Sequence, residues 1–176
     1  MSLISILLIG YERKHYQIYA GIKYLIISSL AMSIYLIGLG FTYRLGGQLG
    51  IRELVESFEG ATPPGLYVGL SLMIVGLAVK GGIFLFSMWL PDAYLYSGTI
   101  VTTLLAGVAT KAGLIGIIRI SALADLDHLI LGLGAMTGIA GAMFAINSRR
   151  PKRILAFSSL SQVGYILLGV GIGTSI

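Results

Sequence analysis

Apolar residues run together for about twenty positions at a time along this chain, five times over, and polar residues gather at the joins between runs. Twenty helical residues cross the ~30 Å hydrocarbon layer of a bilayer. The runs lie at about 17–42, 66–90, 99–121, 128–147 and 153–174. None alternates with the period of a half-buried strand, and each is apolar on all sides, as a spanning helix is. Ahead of the first run, MSLISILLIG is too short to span and reads as the tail of a helix rather than a signal peptide, since no basic region precedes it. The longest join, about 43–65, contains IRELVESFEG, in which Ile51, Leu54, Val55 and Phe58 share one side of a surface helix that ends at Thr62-Pro63-Pro64-Gly65. The pattern predicts an all-α, polytopic membrane bundle of five spanning helices with a short N-terminal helical segment. The whole of 1–176 reads as a single membrane domain.

Composition agrees: 56% of residues are hydrophobic and 11% charged, and the mean hydropathy is +0.93. Gly at 25 of 176 suits helices that pack closely or break. With no cysteine, disulfides and thiolate-held Zn or Fe–S clusters are excluded. The net charge of +5 does not point to nucleic acid, because the basic residues cluster at helix ends. Arg13, Lys14, Lys23, Arg149, Arg150, Lys152 and Arg153 fall on one side and Arg44, Arg52 and Arg119 on the other. The positive-inside rule then makes the first side, with the basic loop 148–153, cytoplasmic and puts the N-terminus outside.

Two lysines break the apolar pattern. Lys80 follows GLYVGLSLMIVGLAV and precedes GGIFLFSMWL; Lys111 lies between TIVTTLLAGVAT and AGLIGII. A lysine at the centre of a spanning helix costs roughly 2.5–3.5 kcal/mol, and an ionisable residue there marks a functional site by default. Holding it neutral at pH 7 costs on the order of 4 kcal/mol, so its two protonation states lie close in energy. If the two ammonium groups stood ~10 Å apart, their repulsion would be ~1.7 kcal/mol at an effective dielectric near 20, enough to couple their titrations. Gly81-Gly82 weakens the helix directly after Lys80, and a broken helix beside an intramembrane charge is a transporter device. Trp89 suits an interfacial anchor, Pro91 a new helical start and Asp92 the positive end of that helix.

Other polar positions carry two readings each. Lys23 either snorkels from near its helix start or acts in transport. Ser158, Ser159, Ser161 and Gln162 either line a relay or hydrogen-bond between helices. His15 and His128 lie at membrane ends and either serve proton entry or are solvated loop histidines. RRPKR at 149–153 is most simply an orientation signal, with lipid head groups as a second use. No nucleotide or metal-ligand motif is present.

The blocks KGGIFLFSMWLPDAY, LLAGVATKAGLIGIIR and PKRILAFSSLSQVGYILLG, in that order, resemble the antiporter-like family of membrane subunits, and AGIKYLIISSLAMSIYLIGLGFTYRLGG resembles its preceding helix. That family includes the large membrane subunits of complex I, membrane-bound hydrogenase subunits and Mrp-type Na+/H+ antiporter subunits. The resemblance implies a proton path along the membrane midplane, with Lys80 on the broken helix and Lys111 on the next helix as relay sites. It implies neighbouring membrane subunits as partners and protons or Na+ as cargo. Flavin, Fe–S clusters and quinone would sit on partner subunits, with no cofactor in this chain. It further implies a proton-translocating respiratory or hydrogenase-linked complex in a prokaryotic cell membrane, with a Mrp-type antiporter component or a truncated, non-conducting structural subunit as alternatives. This sequence departs from the family at Leu85 and Ser87, where Pro and His are usual, at the turn Ser97-Gly98-Thr99-Ile100, and at Arg150-Pro151. Family members have about fourteen helices, so the chain corresponds to a central portion, beginning after the glutamate that pairs with the broken-helix lysine. No Asp or Glu falls inside a predicted span to replace that glutamate: Glu12, Glu53, Glu56, Glu59, Asp92, Asp125 and Asp127 are at ends or in joins.

Overall fold

The computed structural model describes residues 15–47, 50, 53, 64–121 and 127–173. The predicted N-terminal segment and, apart from Glu53, the surface helix over 51–58 lie outside the described residues. The helices are α1 (His15–Gly46), α2 (Pro64–Gly81), a 3-10 turn (Phe84–Trp89), α3 (Leu90–Tyr96), α4 (Thr99–Leu104), a π turn (Leu105–Ala109), α5 (Thr110–Ser121), α6 (Asp127–Ile146) and α7 (Pro151–Gly171). They form five segments long and apolar enough to cross a membrane: His15–Gly46, Pro64–Tyr96, Thr99–Ser121, His128–Ile146 and Pro151–Gly171. The second runs six residues beyond the predicted end, because the new helix that Pro91 starts, as expected, continues the segment to Tyr96. Large apolar side chains remain exposed on every spanning segment, among them Leu30, Met88, Ile100, Ile139 and Tyr165. Such an outer surface belongs in lipid.

Small residues decide which helices touch. Between α1 and α2, a Cβ added to Gly38 would sit 2.6 Å from the Gly69 carbonyl oxygen, and one on Gly76 2.7 Å from that of Ala31. Between α6 and α7, a Cβ on Gly141 would lie 2.6 Å from the Ser161 nitrogen. Lipid supplies no hydrophobic drive between helices, so close backbone approach and its dispersion contacts hold these pairs.

Three buried clusters fill the interior. Ala20, Tyr24, Trp89, Leu90, Ala93, Tyr94, Val101, Leu105 and Ala156 form the first, at the end where α1 begins and α3 ends. Ala78, Ile83, Leu114, Ile117, Ile130, Val163 and Leu167 form the second, around the end of α2. Leu66, Leu70, Met73, Ile74 and Ile120 form the third, towards the other end. Stacking of Tyr16 on Tyr96, with ring centroids 5.6 Å apart, joins the start of α1 to the end of α3.

Candidate functional site

The helix carrying Lys80 stops one residue after it. Gly82 adopts φ +72°, a left-handed conformation that disfavours any residue with a Cβ. The Ile83 N–H donates to the Ala78 carbonyl at 2.9 Å and the Gly82 N–H to that of Val79 at 3.3 Å, a glycine C-cap. Ile83 is extended, and the chain re-enters helix through Phe84–Trp89. Within a bilayer the freed backbone groups need protein partners. The Trp89 indole N–H donates to the Val79 carbonyl at 3.1 Å, the Phe84 N–H to the Thr137 hydroxyl of α6 at 3.4 Å, and the Ser87 hydroxyl to the Phe84 carbonyl at 2.9 Å. Trp89 is therefore no interfacial anchor. It is 2% exposed and packs against Tyr24 with ring centroids 4.9 Å apart, because the break needs a donor that an apolar ring can carry inward. Trp89→Phe keeps one aromatic ring but removes the pyrrole ring with its donor, leaving a small void and Val79 the longer bond from Gly82. A loss of about 2 kcal/mol is expected from the bond and the void together, read as a lowered thermal midpoint of the detergent-solubilised protein.

Lys111 also adjoins an irregularity. The Thr110 N–H donates to the Leu105 carbonyl, five residues back, and the Thr110 hydroxyl donates to the Ala106 carbonyl at 3.0 Å. Turns of this kind are frequent at functional sites. The two irregularities meet where α2 crosses α5. A Cβ on Gly113 would fall 2.9 Å from the Gly81 nitrogen and 3.0 Å from the Leu77 carbonyl oxygen, and one on Gly81 3.7 Å from the Thr110 carbonyl oxygen. Lys80 and Lys111 thus each adjoin a residue of one backbone-to-backbone contact. Both are half-buried. Among the described residues, neither makes a hydrogen bond or ion pair.

Asp92 lies in the first turn of α3, at the positive end expected of it and four residues before the second span ends at Tyr96. Its carboxylate is 2.6 Å from Lys23 Nζ of α1 and 3.8 Å from an Arg153 guanidinium nitrogen of α7. Lys152 Nζ donates to the Ser97 carbonyl at 2.8 Å, so the start of α7 grips both ends of α3. Two residues of the RRPKR stretch are thereby internal ties. Lys23, read from the sequence as snorkelling or acting in transport, is an ion-pair partner. The turn after α3 closes without proline: the Ser97 and Thr102 hydroxyls are 2.8 Å apart, and Thr102 donates to the Gly98 carbonyl at 3.1 Å.

The polar residues of α7 diverge. The Ser161 hydroxyl donates to the Gly138 carbonyl of α6 at 3.1 Å, Gln162 is exposed, and Ser158 and Ser159 are half-buried. The buried Tyr94 hydroxyl has Ser159 beside it. His15 and His128 are exposed.

The family model described as "NADH:quinone oxidoreductase/Mrp antiporter, TM" matches residues 1–176. The chain belongs to this transmembrane family. NADH-quinone oxidoreductase subunit N of Moorella thermoacetica is 35% identical over 159 residues, covering 86% of this chain and 33% of that protein. A Na(+)/H(+) antiporter subunit of Alkalihalophilus pseudofirmus is 31% identical, covering all of this chain and 37% of its own length. This NADH:quinone oxidoreductase/Mrp antiporter family member thus spans about a third of the length of those relatives. Among solved structures, the archaeal membrane-bound sulfane sulfur reductase superposes with a TM-score of 0.88 at 28% identity, over 97% of this chain and 36% of that one. Respiratory complex I of Thermus thermophilus gives 0.84, also at 28%, over 98% and 38%.

In this family member, sequence reasoning missed the π turn, the inward role of Trp89 and the Lys23–Asp92–Arg153 network. Gly107 within LAGVAT hints at a weakened helix before Lys111, but nothing local distinguishes a π turn there. For the network, the available signal was an acid and two cations, each a few residues from a helix end on one side of the membrane.

Proposed function

We propose that this chain forms the central part of a proton-translocating membrane subunit of a respiratory or hydrogenase-linked complex, in which Lys80 and Lys111 exchange protons. The observation that carries this reading is the position of two half-buried lysines, with no partner among the described residues, beside one glycine-built crossing. A break follows one and a π turn precedes the other. Each lysine holds a proton at Nζ, and mutual repulsion makes loading of one favour release from the other. The described carboxylate within the second span is engaged by Lys23 and Arg153, so Asp92 is not the countercharge for Lys80. The chain carries no redox chemistry in this reading. Electron transfer belongs to partner subunits with flavin, Fe–S clusters or quinone, and the chain answers it electrostatically. In this reading the membrane is a prokaryotic cell membrane, the 148–153 loop is cytoplasmic and the N-terminus is outside, following the positive charges.

Na+/H+ antiport is the second reading, favoured by the Na(+)/H(+) antiporter subunit of Alkalihalophilus pseudofirmus, whose match covers the whole chain. The coupling ion separates the two. Vesicles holding the assembled complex, energised by its electron donor, are expected to accumulate protons at the same rate with and without Na+, measured by a pH-sensitive dye. Proton movement that requires Na+ and is matched by Na+ uptake would overturn the first reading in favour of the second.

A further inference from the structure

The join between α6 and α7 surrounds a cavity of ≈ 350 Å³ lined by Phe144, Asn147, Ser148, Arg149, Arg150, Arg153 and Phe157. The relay reading makes no use of it. Arg149 and Arg150 are exposed and form no ion pair among the described residues. Arg153 reaches Asp92 only at 3.8 Å, and its Nε is buried without a hydrogen-bond partner. Asp92 is already held at 2.6 Å by Lys23, so the cavity wall keeps an excess of positive charge and a donor that lacks an acceptor. Guanidinium groups in this state call for an anion with several oxygens, and phosphate matches their fork geometry.

The surroundings of the cavity indicate the source of that phosphate. Its floor holds the rings of Phe144 and Phe157, with centroids 5.3 Å apart. It stands at the ends of two spans whose neighbouring side chains are exposed and apolar: Met143 and Ile146 on α6, Ile154 and Leu155 on α7. A free anion has no need of an aromatic floor that continues into a lipid-facing surface. A phospholipid does, because its phosphodiester would meet the arginines while its glycerol and acyl chains follow the apolar side chains. At ≈ 350 Å³ the cavity far exceeds the roughly 30 Å³ that a water occupies. We propose that this pocket binds the head group of an anionic phospholipid, with Arg149, Arg150 and Arg153 on the phosphate and Phe144 and Phe157 beneath the glycerol.

The test uses the purified full chain in neutral detergent and fluorescently labelled phosphatidylglycerol or phosphatidylcholine. Phosphatidylglycerol is expected to bind about tenfold more tightly, and Arg149→Gln/Arg150→Gln to remove that preference. Arg44→Gln/Arg119→Gln takes the same charge from sites outside the cavity and is expected to leave the preference unchanged. Arg149→Lys/Arg150→Lys keeps the charge but loses the fork, and is expected to bind several-fold more weakly than the parent while retaining its circular dichroism and thermal midpoint. If the glutamine pair fails to fold, the lysine pair carries the test alone. Equal loss in the Arg44/Arg119 variant, or no loss in the lysine pair, would mean diffuse charge attraction and overturn the proposal. Displacement of the lipid by millimolar inorganic phosphate would assign the pocket to a free anion, and would equally overturn it.

Discussion

Lys80→Ala in the assembled complex is expected to reduce proton flux at least about tenfold while the subunit stays at its normal level in the membrane. The physical case rests on the absence of local compensation. Lys80 is half-buried within a spanning segment, and no described residue bonds to it. A lysine that held the break together would touch the backbone groups the break frees. Those groups are served instead by Trp89, Thr137 and Ser87. Removing the ammonium thus deletes a charge from the lipid interior without opening the fold, and thermal stability is expected to hold or rise slightly. Flux and stability should move apart. If Lys80→Ala lowers both together, the residue is a packing element and the relay reading loses its first site.

Asp92→Asn is expected to have the largest effect on stability. The substitution keeps the shape of the side chain and removes the one negative charge that, among the described residues, faces Lys23 and Arg153. Breaking a buried pair from one side costs about 3–5 kcal/mol, and an exposed pair contributes under about 1. With side-chain exposures of 22% for Asp92, 30% for Lys23 and 42% for Arg153, the expected loss lies between those limits, at about 2 kcal/mol. Lys23→Met combined with Asp92→Asn removes the stranded lysine and should recover part of it, which a double-mutant cycle on thermal unfolding will show. An Asp92→Asn protein as stable as the parent would mean that Lys152 on the Ser97 carbonyl holds α3 without the ion pairs.

The spans are legible because lipid imposes a length and a composition that the chain displays directly: the pattern places 99–121 to the residue, and 128–147 and 153–174 to within three. The break is legible because Gly81-Gly82 is a local signal, and Gly82 takes the left-handed conformation that glycine tolerates. What escapes the sequence is tertiary. Trp89 reads as an interface residue in any scale that averages over contexts. Its actual depth follows from a carbonyl ten residues earlier that otherwise has only a long bond from Gly82. Asp92 reads as the positive end of the helix that Pro91 starts, and it lies there; its pairing with cations 69 and 61 residues away in sequence leaves no local sign. The π turn before Lys111 shows in LAGVAT only as the weakening that Gly107 brings, which does not distinguish a π turn from other irregularities. The two lysines are visible as charges among apolar residues. That they flank a single crossing requires Gly81 and Gly113 to be seen in contact.

Substitution by arginine separates a proton carrier from a fixed charge. Arginine keeps the positive charge and similar length, but its guanidinium does not release a proton in proteins. The decisive measurement is dye-reported proton flux through the assembled complex carrying Lys80→Arg or Lys111→Arg, at matched subunit levels. A relay predicts that each arginine variant falls as far as its alanine counterpart. Flux retained in the arginine variants would contradict the account, and would make these lysines positive charges that shape the membrane interior without passing protons.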